Sequence, residues 1–153
     1  MNSSPRLLVI GSSGHAQSVL EAADTAGFVV DGEISTANSD GDIGFASLIS
    51  ALHDLDLVTT ALALGHGVNH VRFRAFEEVI SVFPQAQFPP IIHSSAWVSP
   101  SASLGQGAVV LSQASVGSGS TLGVGALINT GASLDHDSTL GDFASLGPGA
   151  RTG

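Results

Sequence analysis

One short segment of the sequence joins an imidazole to two carboxylates, because Asp135, His136 and Asp137 are consecutive. A carboxylate beside a histidine fixes the tautomer of the ring and stabilises its protonated form. A histidine base whose pKa lies near the working pH speeds a proton transfer by about 10²–10⁴-fold. We therefore predict that these three residues are catalytic, with His136 as the base. The alternative is an ordinary solvated turn, since charged turns are common.

A second group of candidate residues lies near the start of the chain. The apolar run Leu7–Ile10 predicts a buried strand that ends at Gly11, and a tight turn leads from there into a helix. Such turns bind anions through backbone N–H groups, and open parallel sheets bind ligands where their strands end. The alternative is a simple connection with an exposed histidine. The predicted ligand-binding residues, including the glycine that ends a later strand, are Gly11, Ser13, Gly14, His15 and Gly65.

The elements that must position these residues change character along the chain. Residues 1–88 alternate apolar strands with helical stretches, which predicts a small Rossmann-like α/β domain built on a βαβ unit. The predicted strands are Leu7–Ile10, Phe28–Val30 and Leu57–Leu64. The predicted helices are Ala16–Ala26, Phe45–Leu52 and Val71–Val82. Pro89 and Pro90 form a stiff connector to the second part.

Residues 91–153 follow a six-residue period. An aliphatic residue recurs at every sixth position from Ile92 to Leu146, ten times without a gap, and Ala or Ser stands four positions after each. The small residue and the next aliphatic one are two positions apart, so they lie on the same face of a short strand. This is the hexapeptide pattern of an all-β, left-handed parallel β-helix. A low-complexity linker would not keep such a register.

Composition excludes several classes of function. The chain has 13 acidic residues, four arginines and no lysine, for a net charge of −9, which disfavours nucleic acid and membrane surfaces as ligands. There is no cysteine and no long apolar segment at the N-terminus, so we expect a cytoplasmic protein without disulfides. Only His93 and His136 lie in the repeat region, too few for a three-histidine zinc site, and we predict no metal. His66 and His70 are expected on the surface.

Three segments resemble the bacterial sugar acetyltransferases, the group of sialic-acid O-acetyltransferases and of bacillosamine and perosamine N-acetyltransferases. Residues 9–16 (VIGSSGHA) are similar to the glycine-rich turn of that family, and residues 92–102 (IHSSAWVSPSA) to its entry into the β-helix. Residues 128–137 (INTGASLDHD) resemble the segment that carries its catalytic histidine. The resemblance implies transfer of an acetyl group from acetyl-CoA to an amino or hydroxyl group of a sugar or nucleotide-sugar. It also implies that the glycine-rich turn contacts this acceptor.

The resemblance also implies how the β-helix is built. Three hexapeptides form one triangular coil in this family, so residues 18 apart should stack. A prism with flat faces has no deep cleft, and a site for two substrates is therefore expected between the subunits of a homotrimer. The stacked pairs predicted around the histidine are Asp135 on Gly117, His136 on Ser118 and Asp137 on Gly119.

The chain departs from the family at several positions. Ser145 follows Asp142-Phe143 where the family has a histidine, and Ser35-Thr36, with Asp31 nearby, replaces a pair of aspartates. Ser145 and Gly147 are expected to face the coenzyme. Family members continue through further coils, so we expect residues 91–153 to be a truncated β-helix. A non-catalytic solenoid that binds a nucleotide-sugar or a partner protein is the alternative function.

Overall fold

The apolar run near the N-terminus forms the centre of a three-stranded parallel sheet in the computed structural model, which describes residues 4–37 and 44–152. Strand β1 (Arg6–Ile10) lies between β2 (Val29–Ile34) and β3 (Thr60–Leu64). Helix α1 (Gly14–Thr25) packs on one face of this sheet. Helices α2 (Ala46–His53) and α3 (Asn69–Val82) pack on the other face.

All six elements differ from their predicted bounds by at least one residue, and the differences at β3, β2 and α1 are the most informative. Strand β3 begins at Thr60 rather than at Leu57, because the Asp56 carboxylate accepts hydrogen bonds from Val58 N and Thr59 Oγ1, both at 3.0 Å, and makes a turn there. Strand β2 continues to Ile34 as an edge strand with alternating exposure. Helix α1 begins at Gly14, two residues before the predicted start.

After the two prolines, the chain forms ten two-residue strands, β4 to β13. The second residue of every one of these strands is one of the ten aliphatic residues of the six-residue pattern, so the predicted register is confirmed. The strands are Ile91–Ile92, Trp97–Val98, Ser103–Leu104, Val109–Val110, Ser115–Val116, Thr121–Leu122, Leu127–Ile128, Ser133–Leu134, Thr139–Leu140 and Ser145–Leu146.

These strands stack into three parallel sheets that form the sides of a prism. The orders are β4-β7-β10-β13, β5-β8-β11 and β6-β9-β12, and paired residues such as Val110 and Ile128 are 18 positions apart. The stacked sheets fit a left-handed β-helix. The aliphatic residues fill the interior of the prism together with small residues such as Ala108, Ala126 and Ala132.

Because the aliphatic residue of each strand points inward, the first residue of the strand points outward. Each side of the prism therefore has its own outer surface. The covered face, on β4, β7, β10 and β13, presents Ile91, Val109, Leu127 and Ser145. The serine face, on β5, β8 and β11, presents Trp97, Ser115 and Ser133, and the threonine face, on β6, β9 and β12, presents Ser103, Thr121 and Thr139.

The covered face joins the prism to the α/β part of the chain. Ile91, Val109 and Leu127 are almost fully buried in one hydrophobic cluster with residues of β1, β3 and α1. Their burial removes a continuous apolar strip from water, which is the main force that fixes the two parts against each other. The other two faces, and the corner between them, carry no such apolar cover from the described residues.

Candidate active site

The acid–histidine–acid segment lies at the histidine corner, residues 135–138, where the serine face meets the threonine face. His136 Nδ1 lies 2.8 Å from Asp137 Oδ2, and the backbone N–H of His136 donates to Asp135 Oδ1, also at 2.8 Å. The side chains of His136 and Asp137 are 68% and 79% exposed. The arrangement thus holds the imidazole ring by one carboxylate while the rest of the ring faces outward.

The stacking predicted for this corner is confirmed. Asp137 N donates to Ser118 O at 2.8 Å, and a Cβ added to Gly117 would lie 2.5 Å from His136 N. Asp137 has a φ of 53°, in the left-handed region that glycine occupies at the equivalent corner residue Gly119. Aspartate tolerates this conformation better than most residues. The corner therefore accepts a carboxylate at a position where the fold favours glycine.

The two carboxylates set the acid–base behaviour of His136. The hydrogen bond to Asp137, and then the negative charges of Asp135 and Asp137, raise the pKa of His136 above its usual value of 6.5. A carboxylate can only accept a hydrogen bond, so the neutral ring carries its proton on Nδ1. The lone pair of the neutral form is then on Nε2, the atom placed to take a proton from another molecule.

The residues predicted to bind a ligand near the N-terminus lie together at the carboxyl-terminal edge of the sheet. Gly11 follows β1 with a φ of 121°, and Gly65 follows β3. A Cβ on Gly65 would lie 2.6 Å from Val9 Cγ1, so packing excludes any larger residue there. Ser13 precedes helix α1, and a Cβ on Gly14 would meet no protein atom within 4 Å. The space above Gly14 is open to a ligand.

Two histidines lie beside this turn, and the expectation that His66 is a surface residue is wrong. His66 Nε2 lies 2.8 Å from Thr36 Oγ1, whereas His66 Nδ1 and His15 Nε2 are buried without a hydrogen-bond partner among the described residues. Burial lowers the pKa of both rings, with a smaller contribution from the Arg72 cation. His66 directly follows Gly65 at the end of a strand, which was the signal that could have placed it here.

The positions that replace the aspartate pair of the family separate in the structure. Ser35 Oγ accepts a hydrogen bond from Ser12 Oγ at 3.1 Å, so this serine lies at the same edge as Thr36. Asp31 instead pairs with Arg6, at 2.8 Å, at the start of β1 and away from the edge. The acidic residue that the sequence offered is therefore not part of this site.

A buried arginine, which the sequence analysis did not single out, connects this edge to the prism. Arg72 in α3 is 1% exposed, and burial lowers its pKa to about 10. Its Nη1 donates to His66 O at 3.0 Å, and its Nε donates to Gly125 O at 2.7 Å. Nη2 donates to Phe143 O at 2.8 Å. No carboxylate contacts this guanidinium among the described residues, and neutral oxygens satisfy it.

The two residues predicted to face the coenzyme lie in strand β13 and just after it. Ser145 Oγ is within hydrogen-bond distance of Asn69 Oδ1, at 2.5 Å, and accepts a bond from Arg72 Nη2 at 3.0 Å. Gly147 lies at the next corner, directly after strand β13. Ser145 is thus tied to α3.

Within one chain, Arg72 joins the edge of the sheet to Ser145, whereas the histidine corner lies apart from both. The α/β part lies over the covered face, and the histidine corner is the corner of the triangle opposite that face. His136 therefore points away from the sheet edge that carries His15 and His66.

The described residues give two further results. No group of three or more His, Cys, Asp or Glu side chains among them is placed to hold a metal ion. Of the helices in residues 4–37 and 44–152, none is long and apolar enough to cross a membrane.

Comparison with known proteins adds the family. No family model matches the chain, and no curated protein does. The acetyltransferase domain of PglB from Neisseria gonorrhoeae, solved in complex with acetyl coenzyme A, is similar with a TM-score of 0.82 and 31% identity, over 97% of this chain and 73% of that one. A His-to-Ala mutant of GDP-perosamine N-acetyl transferase from Caulobacter crescentus, in complex with CoA and GDP-perosamine, has a TM-score of 0.79 and 28% identity, over 95% and 70%. The chain belongs to the bacterial sugar acetyltransferase family.

Proposed function

We propose that this protein transfers an acetyl group from acetyl-CoA to an amino or hydroxyl group of a nucleotide-sugar, with His136 as general base. The observation that carries this proposal is the bond of 2.8 Å between His136 Nδ1 and Asp137 Oδ2, which leaves Nε2 exposed as a base. The family membership gives the class of reaction, since similar structures are acetyltransferases solved with acetyl coenzyme A or CoA.

The chemistry requires a base at this position. The attacking nitrogen or oxygen of the acceptor loses a proton to His136 Nε2 as it forms a bond to the thioester carbonyl carbon. The tetrahedral intermediate then collapses, the C–S bond breaks, and the sulfur leaves with the proton held by the imidazolium. Asp137 keeps the ring oriented and stabilises its charged form during these steps.

The two parts of the chain divide the binding between them. We assign residues 1–88 to the nucleotide-sugar, in a Rossmann-like domain whose turn residues Ser13 and Gly14 offer backbone N–H groups to phosphates, whereas the N–H of Gly11 donates to Ile34 O at 2.8 Å. Residues 91–153 form the acyl-transfer domain. We assign Ser145 and Gly147 to the binding of acetyl-CoA, a co-substrate that the reaction uses without a metal.

We further propose that the active unit is a homotrimer. The sheet edge and the histidine corner lie on opposite sides of the prism, so a sugar held by one chain can reach only the His136 of another. Three copies related by a threefold axis form a closed ring in which the histidine corner of each chain faces the sheet edge of a neighbouring chain. The uncovered serine and threonine faces provide the surface for such contacts.

An acetyl-transfer assay with a panel of amino- and hydroxy-sugar nucleotides tests the function. We expect the unaltered protein to turn over acetyl-CoA. His136→Ala should abolish this turnover but leave the binding of CoA and of the acceptor intact. The alternative function, a non-catalytic solenoid, is favoured by one observation: Ser145 stands at the family's histidine position and contacts Asn69 and Arg72 instead of open space. No acetyl-CoA binding by calorimetry, together with no turnover, would support that alternative and contradict our proposal.

A further inference from the structure

Two serine hydroxyl groups meet at the histidine corner, in a prism that uses alanine at the equivalent positions elsewhere. Each hexapeptide has one small residue four positions after its aliphatic residue, and eight of these ten small residues are alanine. The two exceptions are Ser120 and Ser138, which are 18 positions apart. Ser120 therefore lies one coil away from Ser138, in the corner directly beneath the histidine corner.

The histidine corner lacks a backbone bond that the other corners make. At a typical corner the N–H of the small residue donates to the carbonyl oxygen three residues earlier, as Ala132 N does to Asn129 O at 3.0 Å. Of the ten corners among the described residues, nine have this bond, at 2.8 to 3.4 Å, and the histidine corner does not. There Ser120 Oγ donates to Asp135 O at 2.6 Å and accepts a bond from Ser138 N at 3.2 Å. A hydroxyl group thus bridges the turn in place of the direct bond.

The two serines hold both peptide groups that flank the α-carbon of His136. The peptide group before it contains the carbonyl of Asp135, which accepts the bond from Ser120 Oγ. The peptide group after it contains the carbonyl of His136 itself, which accepts a bond from Ser138 Oγ at 3.2 Å. A peptide group is planar, so the orientations of these two groups determine φ and ψ of His136. They therefore also determine the direction in which its side chain leaves the backbone.

Burial makes the contacts of Ser120 specific. The residue is only 1% exposed, so its hydroxyl cannot exchange its partners for water. A hydroxyl group has one donor and two acceptor sites, and here the donor and one acceptor site are used on the histidine corner. Since buried polar groups need partners, this pattern of bonds keeps the turn in one conformation.

We propose that Ser120 is a positioning residue for acetyl transfer, assisted by Ser138, an inference that rests on the proposed function. Ser120 is enclosed in the prism and acts through His136. The bridged turn orients the backbone of His136, and the bond to Asp137 then orients the ring, so that Nε2 has a defined direction. A general base must lie within hydrogen-bond reach of the proton that it takes. A misplacement of about 1 Å can lower the rate by about 10²-fold.

Steady-state kinetics of Ser120→Ala tests this role. Because alanine is the usual small residue of the prism, the variant should fit, and its corner should close on a direct bond from Ser138 N to Asp135 O. We expect kcat to fall by about 10–10²-fold, with unchanged KM values and an unchanged or higher melting temperature. Ser138→Ala removes only the bond to His136 O and should lower kcat by about tenfold or less. The assay uses acetyl-CoA and a panel of sugar nucleotides that includes GDP-perosamine, and the best acceptor is kept for all variants.

Ser99→Ala is the matched control. Ser99 is also buried, at 6% exposure, and its Oγ accepts a bond from the backbone N–H of Ser101 at 3.3 Å. It lies in the same stack of corners as His136, two coils away, at a corner that keeps its direct bond. This variant loses a buried hydroxyl group without changing the histidine corner, so its kcat should equal that of the unaltered protein.

The outcomes separate the positioning role from the proposed function. Unchanged kcat in Ser120→Ala, raised KM values at unchanged kcat, or an equal loss of kcat in Ser99→Ala would each overturn the positioning role and leave the proposed function standing. Should Ser120→Ala melt below the assay temperature, Ser138→Ala decides: a lower kcat at an unchanged melting temperature supports the role, and an unchanged kcat overturns it. If the unaltered protein transfers no acetyl group, or if His136→Ala keeps its turnover, the proposed function is wrong and the positioning role fails with it.

Discussion

The histidine corner and the edge of the sheet place the same side chain in opposite electrostatic settings. At the corner, His136 is exposed and its pKa is raised by two carboxylates. At the edge, His15 and His66 are half-buried, and burial lowers the pKa of each ring, with a smaller contribution from the Arg72 cation. The raised pKa favours the protonated form of the first ring, and the lowered pKa values favour the neutral form of the other two. This contrast is the reason why we propose proton transfer at the corner and ligand binding at the edge.

The largest effect expected at the corner is on turnover. His136→Ala should lower kcat by about 10²–10⁴-fold, because the attacking group loses its base. The dissociation constants for CoA and for the acceptor should change little, since the edge of the sheet and the end of the prism are untouched. Near-normal turnover in this variant would show that the corner is not the place of chemistry.

The matched control for His136→Ala is another histidine of the prism. His93 Nδ1 accepts a bond from Ser95 N at 3.0 Å within its own turn. In His93→Asn the side-chain oxygen can accept the same bond, so turnover should remain close to that of the unaltered protein.

At the edge, the largest effect is expected from Arg72. Lysine keeps the charge but cannot place donors on His66 O, Gly125 O and Phe143 O at once. Arg72→Lys should therefore lower the free energy of unfolding by about 1–3 kcal/mol, measured by urea denaturation, because buried carbonyl groups lose their partners. Nucleotide-sugar binding should weaken as the loop loosens.

Arg74 offers the control two residues further along the same helix. Its guanidinium lies over the ring of Phe45, 5.4 Å from the centroid, at the surface. Arg74→Lys should change the free energy of unfolding by less than about 0.5 kcal/mol. Equal losses of unfolding free energy in the two variants would mean that the hydrogen bonds of Arg72 do not stabilise the junction between the two parts of the chain.

A smaller effect is expected from the partner of His136. Without the carboxylate, the imidazolium loses stabilisation, so the pKa of His136 falls in Asp137→Asn. The neutral base then persists to lower pH, and the acidic limb of the profile of kcat against pH should move down. An acidic limb that stays in place would show that Asp137 does not set the pKa of His136.

Asp137→Gly distinguishes the functional role of this residue from a structural one. The φ of 53° at position 137 suits glycine, so this variant should melt at the same temperature or higher. Its turnover should nevertheless fall, because the ring of His136 loses the bond that orients it. A lower melting temperature with unchanged turnover would show that Asp137 has a structural role and not a functional one.

The positions of residues at the histidine corner could be predicted from the sequence, whereas the buried contacts at the edge of the sheet could not. The six-residue period determines where each residue lies within a hexapeptide, and the three hexapeptides per coil implied by the family resemblance then placed the corner of His136 on that of Gly117. Arg72 gave no such signal, because its partners are mostly backbone carbonyl groups, which every sequence contains. The same period could have revealed Phe143, which stands where most other corners have glycine.

The central claim is that His136 of one chain acts on a sugar held at the edge of another, and mixed oligomers test it most directly. One partner carries His136→Ala and the other carries Gly14→Val, which fills the open space above the turn without touching protein atoms. Each variant alone should be nearly inactive. After dissociation and reassociation of an equal mixture, roughly one quarter of the sites combine an intact corner with an intact edge, and activity should recover to about that level. Two variants that remain inactive after verified mixing would contradict the account, because the base and the sugar would then have to come from the same chain.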